Sequence, residues 1–418
     1  MKLFLLIIIT AISAFYLNAQ NSELEVPTKT IDYFENFPKK FPKDIQPFIK
    51  DMVLIPGGIF EMGHTLKGIV KSINDTNLII PESKRNVTVS PFLLCSHEVT
   101  NREYKEFVFY VRDSMARHIL AQSDPSYYLD TEKEWLNWEK PINWKHDSLI
   151  GILVYEHNLY VDDLDILSEN FSFSYQISTP QGIVQKITFV YPDTFALDKM
   201  YFRRCAPMMS IYFNHPGYTD YPVVGINWDQ AFAYCHWKNM MLDKALKKYP
   251  ELKSIIGQFR LPLEAEWEFA AFEPRYKNTH FYKIPKWNQS KKSNTEFYLL
   301  NFGQIIDDNN FIVKYLDDDG CEYCCRVASY LANPYGLYDM SGNVAEWVWD
   351  DADFNYEAEN DLFQSINFNY IEKWDCNRLT KGGSWADNII YQHPSSKVWM
   401  LHSIQSGKNG FRIAMTKP

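Results

Sequence analysis

The chain has 418 residues, a formal net charge of -10 and a pI near 5.5, with 46% hydrophobic and 16% aromatic residues. Such a composition sustains a large buried core and excludes an intrinsically disordered chain. The acidic balance lacks the basic footprint of a nucleic-acid binder, and past the N-terminus no stretch reaches the roughly 18 consecutive apolar residues of a membrane span.

The N-terminus, "MKLFLLIIITAISAFYLNAQN", places Lys2 before an apolar block from Leu3 to Leu17 and a small residue, Ala19, at a cleavage position. This is the pattern of a signal peptide over residues 1–19 and predicts export to the periplasm. An exported lipoprotein carries a cysteine just past the apolar block, and the first cysteine here is Cys95, so no lipid anchor is expected. Residues 20–50 are polar and proline-punctuated and read as an N-terminal arm, with the body of the protein over 51–418.

In "MVLIPGGIFEMGH" (52–64) a Pro-Gly-Gly turn separates two apolar runs, which predicts a hairpin. "NVTVSPFLLCSHEVT" (86–100) is a further β-rich run. Thr100 or Asn101 then caps a helix whose Tyr104, Phe107, Val108, Val111 and Met115 share one face. Residues 124–205 hold Trp135, Trp138 and Trp144 and the alternating "FSFSYQIS" and "GIVQKITFVYPDT"; they read as a strand-rich insertion without a long helix. Asn227 caps a second helix that turns Ala231, Tyr234, Cys235 and Met241 inward. "FRLPLEAEWEFAAF" (259–272) is a strand, a turn and the start of a helix, with Pro262 placed where a missing N–H costs little. From Glu273 to Asp319 the chain is polar and aromatic with few regular signals, which predicts irregular but packed structure.

There are seven cysteines. Cys321, Cys324 and Cys325 cluster as "CEYCC", without a second cysteine pair to complete a zinc site. The cluster reads as a redox pair, a local disulfide, or small buried thiols with at most one bridge.

"GLYDMSGNVAEW" (336–347) alternates apolar residues with acids, an amide and glycines, which suits neither a strand nor a helix. Asp339 and Glu346 supply carboxylates, and a turn at Gly342 can aim the carbonyls of Gly342 and Val344 at the same point, as a hard cation such as calcium requires. The other reading is a tight loop whose acids cap backbone N–H groups.

"MVLIPGGIFEMG", "EVTNREYKEF", "YPVVGINWDQAFAYCHW", "FRLPLEAEWEFAA", "NPYGLYDMSGNVAEWVWD", "KGGSW" and "GFRIA" follow one another as in formylglycine-generating-enzyme (sulfatase-modifying factor) domains, which the chain resembles from Met52 to Ala414. The resemblance implies an α+β fold, C-type-lectin-like, low in regular secondary structure and carrying structural calcium. It implies one calcium site from Asp339, Glu346 and the carbonyls of Gly342 and Val344. A second site would be formed by the Asn301 and Asp319 side chains with the carbonyls of Phe302 and Cys321.

Those enzymes bind copper(I) through two cysteines, five residues apart, after their GGS motif, because a soft ion needs soft thiolates. Here Asp387 and Gln392 stand at the two positions, no cysteine follows Cys376, and Ala345 stands where tryptophan is typical. No copper is expected, and formylglycine formation looks lost. Ser384, Trp385 and His393 would line the former pocket. His393 and His402, without a placed third ligand, read as hydrogen-bonded residues more readily than as a metal site.

"EVTNREYKEFVFYVRDSMARHILA", "LNWEKPINW", "VYPDT" and "YFNHPGYTDYPVVGINW" are similar to gliding-motility and type IX secretion proteins of the GldK/PorK type. That resemblance implies a non-catalytic periplasmic ring component with a partner of GldN/PorN type, peripheral to the outer membrane at most. The alternatives are an oxygen- or metal-dependent enzyme with a changed site, and a module binding a glycan or peptide near Trp385.

Overall fold

A computed structural model of the chain describes residues 38, 40–63, 77–79, 84–155, 166–200, 211–272, 283–288, 293–303, 305–306, 312–314, 318–352 and 370–416. The expected signal peptide and most of the arm lie outside them.

In chain order the elements are α1 (Gln46–Ile49), β1 (Met52–Ile55), β2 (Gly58–Met62), β3 (Leu78–Ile79), β4 (Arg85–Val89), β5 (Phe92–Cys95) and α2 (Asn101–Ala121). Residues 124–205, where described, hold β6 (Tyr128–Asp130), β7 (Trp135–Leu136), β8 (Ser172–Thr179), β9 (Gly182–Phe189) and the five-residue α3 (Ala196–Met200). Then come α4 (Trp228–Leu246), β10 (Phe259–Arg260), α5 (Glu264–Ala271), β11 (Lys283–Asn288), β12 (Ser293–Tyr298), β13 (Ile305–Ile306) and β14 (Ile312–Lys314). The C-terminal part adds β15 (Ala345–Asp351), β16 (Asn377–Lys381), β17 (Lys397–Leu401), β18 (Asn409–Gly410) and β19 (Ala414–Thr416).

Both long helices begin where the caps foretell. The Thr100 hydroxyl accepts the Glu103 N–H at 3.3 Å and the Glu103 carboxylate accepts the Thr100 N–H at 2.8 Å. Asn227 and Gln230 repeat this reciprocal box at 2.9 Å each way. Four otherwise orphaned donors are thereby used. The apolar faces then meet: Tyr104 stacks on Tyr234 with ring centroids 5.7 Å apart, and Phe107 lies 5.4 Å from Trp237. Tyr104, Phe107, Val108, Val111, Ala231, Tyr234 and Cys235 are buried, while Met115 and Met241 are only partly so.

The expected Pro-Gly-Gly hairpin does not form. β1 pairs with β5 in the antiparallel sheet β1-β5-β19-β10, whereas β2 pairs with β4 alone. Gly57, at φ +70, sends the chain from one sheet to the other, and a Cβ there would lie 2.4 Å from the Val89 carbonyl oxygen. Two apolar runs either side of a turn tell of strands, but long-range partners decide which strands pair. The second main sheet runs β18-β15-β16-β17-β3, with β15 and β18 parallel.

Part of the arm belongs to the packed body, since Ile45 and Ile49 are buried in the same cluster as α2 and α4 and Phe48 lies against Phe259. The 273–319 stretch, where described, is more regular than expected: β11 pairs with β12 and β13 with β14.

Residues of the 124–205 stretch pack over the two long helices. Tyr175 and Ile177 of the β8–β9 hairpin are buried, Tyr175 against Phe232 of α4. The opposite face of β9 presents Ile183, Ile187 and Phe189 at 74%, 64% and 62% exposure. Trp138 covers α2 by stacking on Tyr110 at 4.9 Å, with Arg117 4.8 Å from its ring.

Candidate functional site

The functional region gathers three turns. The first, residues 339–344, precedes β15 and holds Asp339, Gly342 and Asn343 at φ 54, 81 and 62. Gly342 is obligatory in this turn, because a Cβ on it would sit 2.1 Å from the Asn301 carbonyl oxygen. The second turn is Gly382-Gly383 after β16. It joins the first through Gly342 N–H to Gly382 O at 2.8 Å and Trp385 N–H to Asn343 O at 2.9 Å. The third, residues 319–325, attaches through Cys325 N–H to Asn343 Oδ1 at 2.7 Å.

Beneath these turns lies a buried charge cluster. Arg412 donates from Nε and Nη2 to the two Glu346 oxygens at 2.6 Å each, and Trp267 Nε1–H adds a third bond at 2.7 Å. Asn343 Nδ2 donates to Glu98 Oε1 at 2.8 Å, and Ala328 N–H to Asp339 Oδ2 at 2.7 Å. Burial, followed by the charge of Asp339, pushes the Glu98 carboxyl well above its ordinary range. Burial raises Asp339 to about 6. Burial opposes the charge on Arg412 too, but Glu346 beside it outweighs that and holds the guanidinium above its usual value. Three carboxyl groups thus surround one guanidinium out of reach of water.

The residues named by the sequence fall into these turns. Asp339, Gly342 and Val344 share the first, Glu346 follows it at the start of β15, and Asn301, Phe302, Asp319 and Cys321 meet beside it. The Asp319 carboxylate accepts N–H groups from Phe302 at 3.0 Å and Cys321 at 3.3 Å. Each set contains a buried oxygen with no hydrogen-bond partner: Asp339 Oδ1 in one and Asn301 Oδ1 in the other, with Glu98 Oε2 a third such atom. Buried lone pairs left in this state are costly, and an oxygen-seeking cation satisfies them. Each set therefore offers an oxygen to a hard cation, Asp339 Oδ1 and Asn301 Oδ1, while both Glu346 oxygens are already bonded to Arg412 and Trp267. Among the described residues no three His, Cys, Asp or Glu side chains converge on one metal position, so the offer is the mixed carboxylate, amide and carbonyl type.

At the positions where the enzymes keep their cysteines, the side chains are turned inward on their own loop. Asp387 accepts from Ser384 Oγ at 2.5 Å and from Lys408 Nζ at 2.7 Å. Gln392 is fully buried, and its Nε2 donates to the carbonyls of Ser384 at 2.9 Å and Asp387 at 3.2 Å. Ser384 Oγ bonds Asp387 and accepts the Ala386 N–H at 3.3 Å, and so serves the turn. Trp385 is buried, its indole N–H donating to Gly407 O at 3.1 Å, so it offers no open ring to a glycan or peptide. His393 is buried with Nδ1 accepting the Ser395 N–H at 3.1 Å. His402 sits apart from the pocket, at the start of α4, between Asp229 at 2.8 Å and Asp375 at 3.3 Å.

Sequence reasoning missed Glu98, Asn343, Lys408 and Arg412. Glu98 and Arg412 lie within the quoted runs "HEVT" and "GFRIA", so the motifs marked their positions, but nothing local tells that residues so far apart share one buried cluster.

The chain is similar to several known proteins. The formylglycine-generating enzyme of Thermomonospora curvata is 23% identical over 389 residues, covering 91% of this chain and 97% of that protein. The bovine "inactive C-alpha-formylglycine-generating enzyme 2" is 24% identical over 358 residues, covering 81% and 77%. The serine/threonine-protein kinase pkn1 of Chlamydia pneumoniae is 33% identical over 135 residues, of which this chain spans 14% of the length. Among solved structures, PvdO from Pseudomonas aeruginosa aligns at TM-score 0.44 and 18% identity, over 90% of this chain and 98% of that one. The model of the sulfatase-modifying factor enzyme 1-like domain matches residues 38–417. With nearly its whole length inside that match, the chain belongs to the sulfatase-modifying factor (formylglycine-generating enzyme) domain family.

Proposed function

We propose that this chain is a non-catalytic scaffold on the sulfatase-modifying factor fold. It would act in the periplasm as a component of a gliding-motility or type IX secretion apparatus of the GldK/PorK type. The observation that carries the non-catalytic part is the pair of positions that hold thiolates in the enzymes. Asp387 is engaged by Ser384 and Lys408, and Gln392 by loop carbonyls. Oxygen and amide donors do not replace thiolates for a cuprous ion. The relatives include a protein named as an enzyme and one named as inactive, so similarity alone does not choose between them and the residues must.

The assembly role draws support from the insertion. Ile183, Ile187 and Phe189 form an exposed apolar row, and Trp135 and Trp138 are 56% and 40% exposed. Apolar and aromatic surface of this kind is what protein interfaces bury. A protein of GldN/PorN type is the proposed partner, in a ring assembly, with contact to the outer membrane peripheral at most. Calcium is the proposed structural ion, held at one position by Asp339, Gly342, Val344 and Glu346 and at another by Asn301, Phe302, Asp319 and Cys321. It would supply positive charge to an excess of buried carboxylate. Support comes from the unpartnered Asp339 Oδ1 and Asn301 Oδ1.

Two measurements test the reading. Incubation of the purified full chain with copper, oxygen and a cysteine-bearing sulfatase peptide is expected to leave the cysteine unchanged by mass spectrometry; formylglycine in the product would sink the non-catalytic reading. Co-expression with a GldN/PorN-type protein is expected to give co-elution on size exclusion that Ile187→Glu weakens. Separate elution of the two native proteins removes the assembly role.

A further inference from the structure

Cys321 and Cys325 are joined by a disulfide, with Cα atoms 5.8 Å apart. Cys324 between them remains a buried thiol, 3.4 Å from the Tyr212 hydroxyl. The bridge joins Cys321 to Cys325 and not to Cys324, and it lies between two sets of oxygen donors. On one side, Cys321 N–H donates to Asp319 Oδ1 at 3.3 Å, and Tyr330 Oη–H donates to the Asp319 carbonyl at 3.2 Å. On the other side, Cys325 N–H donates to Asn343 Oδ1 at 2.7 Å, and the Cys325 sulfur lies 3.6 Å from Asn301 Nδ2. Asn343 in turn donates its own N–H to Asn301 O at 3.0 Å and its Nδ2 to Glu98 at 2.8 Å. One covalent bond thus ties the Asp319–Cys321 turn to Asn301 and to the middle of the Gly342–Val344 turn.

We propose that the Cys321–Cys325 disulfide is a redox-set strut that holds the Asn301–Asp319 donor set together, so that this chain binds calcium tightly when oxidised and weakly when reduced. This rests on the calcium reading given above and adds to it a control that depends on this chain's own cysteines.

Reduction needs two electrons and two protons from a dithiol reductant. Its thiolate attacks the half-buried Cys321 sulfur, the S–S bond breaks and Cys325 leaves; the mixed disulfide is then resolved by the reductant's second thiol, which leaves oxidised. Cys324 does not intervene, because burial pushes its thiol up to about 12 and leaves almost no thiolate to attack the neighbouring bond. With the bridge open, Asp319 and the Cys321 carbonyl are held to Asn301 only through hydrogen bonds. The loop-closure entropy that the bridge removes must then be met by the bound ion, which for so short a ring corresponds to about a tenfold loss of affinity or more.

Calcium titration of the purified full chain by calorimetry tests the inference in three forms: oxidised, treated with a phosphine reductant, and as the double variant C321S/C325S. The oxidised chain is expected to take up two calcium ions, and one of the two dissociation constants is expected to rise at least tenfold in both other forms. Cys324→Ser should behave as the oxidised native chain. Near-UV circular dichroism at saturating calcium checks that the double variant is folded, and the reduced native chain makes the same comparison with no substitution. Equal affinities in the oxidised and reduced forms would overturn the strut and leave the calcium reading standing. No calcium uptake by the oxidised chain would overturn both.

Discussion

Arg412 and Glu346 meet fork to fork at 2.6 Å and 2.6 Å with no exposure of either side chain. With Trp267 bound to Oε2 as well, most of the lone-pair directions of the Glu346 carboxylate are taken. A cation approaching the turn would find Asp339 Oδ1 open first and Glu346 already neutralised. Removing one member of such a pair leaves the other charged and buried without its hydrogen-bonded counter-ion. Glu346→Gln is therefore expected to destabilise the protein by about 3–5 kcal/mol, measured as a loss in the urea midpoint at unchanged slope. The double variant E346M/R412M should recover part of that loss, and a single variant of native stability would show that the pair carries little.

Gly342 gives a sharper steric test. Its φ is +81, and an added Cβ would reach 2.1 Å from Asn301 O, a backbone atom that cannot swing aside. Gly342→Ala must either strain the left-handed turn or push the turn bearing Asn301 away, at a cost of roughly 3 kcal/mol or more. Under the calcium proposal, a calcium-induced rise in melting temperature should shrink in the same variant, since Gly342 carries a ligand of one proposed site and Asn301 a ligand of the other, and at least one of them must shift. Unchanged stability in Gly342→Ala would refute the close approach.

The two positions that the resemblance aligns with the enzymes' copper-binding cysteines invite a graft. Gln392 Nε2 reaches the Asp387 carbonyl at 3.2 Å, so the two residues remain neighbours across the turn. Restoring thiols as D387C/Q392C supplies the soft pair that a cuprous ion needs. The variant is expected to hold about one copper(I) per chain against a chromogenic chelator, while the native chain holds none. Failure of the folded variant to bind copper would mean that the turn has departed from the enzymes' geometry, and not only from their residues.

Where the sequence was legible, a local rule acted. The boxes Thr100/Glu103 and Asn227/Gln230 mark helix starts through neighbours three residues apart, and the alternation in 172–189 marks a hairpin through the pleat itself. Where it was not, the deciding partner was remote. β1 and β2 flank a turn that reads as a hairpin, yet β5 and β4 claim them. Lys408 completes the Asp387 network from 21 positions away, and Glu98 reaches Asn343 across 245. The cysteine cluster lies between these cases: proximity marks a bridge, but the fold joins Cys321 to Cys325 and turns Cys324 toward the Tyr212 hydroxyl.

His236 sets the acid side of stability. In α4 its ring stacks on Tyr175 at 4.6 Å and meets Phe232 edge-on at 4.6 Å, and burial lowers its pKa from 6.5 to about 4. Asp243, Lys244 and Lys247 line the same groove further along the helix. Because the folded pKa is the lower one, the unfolded chain takes up a proton between pH 6.5 and about 4 that the folded chain refuses. The stabilisation from keeping this ring neutral is complete above the unfolded value and is lost as pH falls through that window, up to roughly 3 kcal/mol. Asp339, raised to about 6, acts in the opposite sense, because its folded form binds the proton more readily. The difference between two proteins isolates the histidine: His236→Phe keeps the aromatic contacts and removes the titration. Urea unfolding at pH 7.5 and pH 5 should show the native chain losing more stability than the variant across that interval, and parallel losses would exclude His236 as the group responsible.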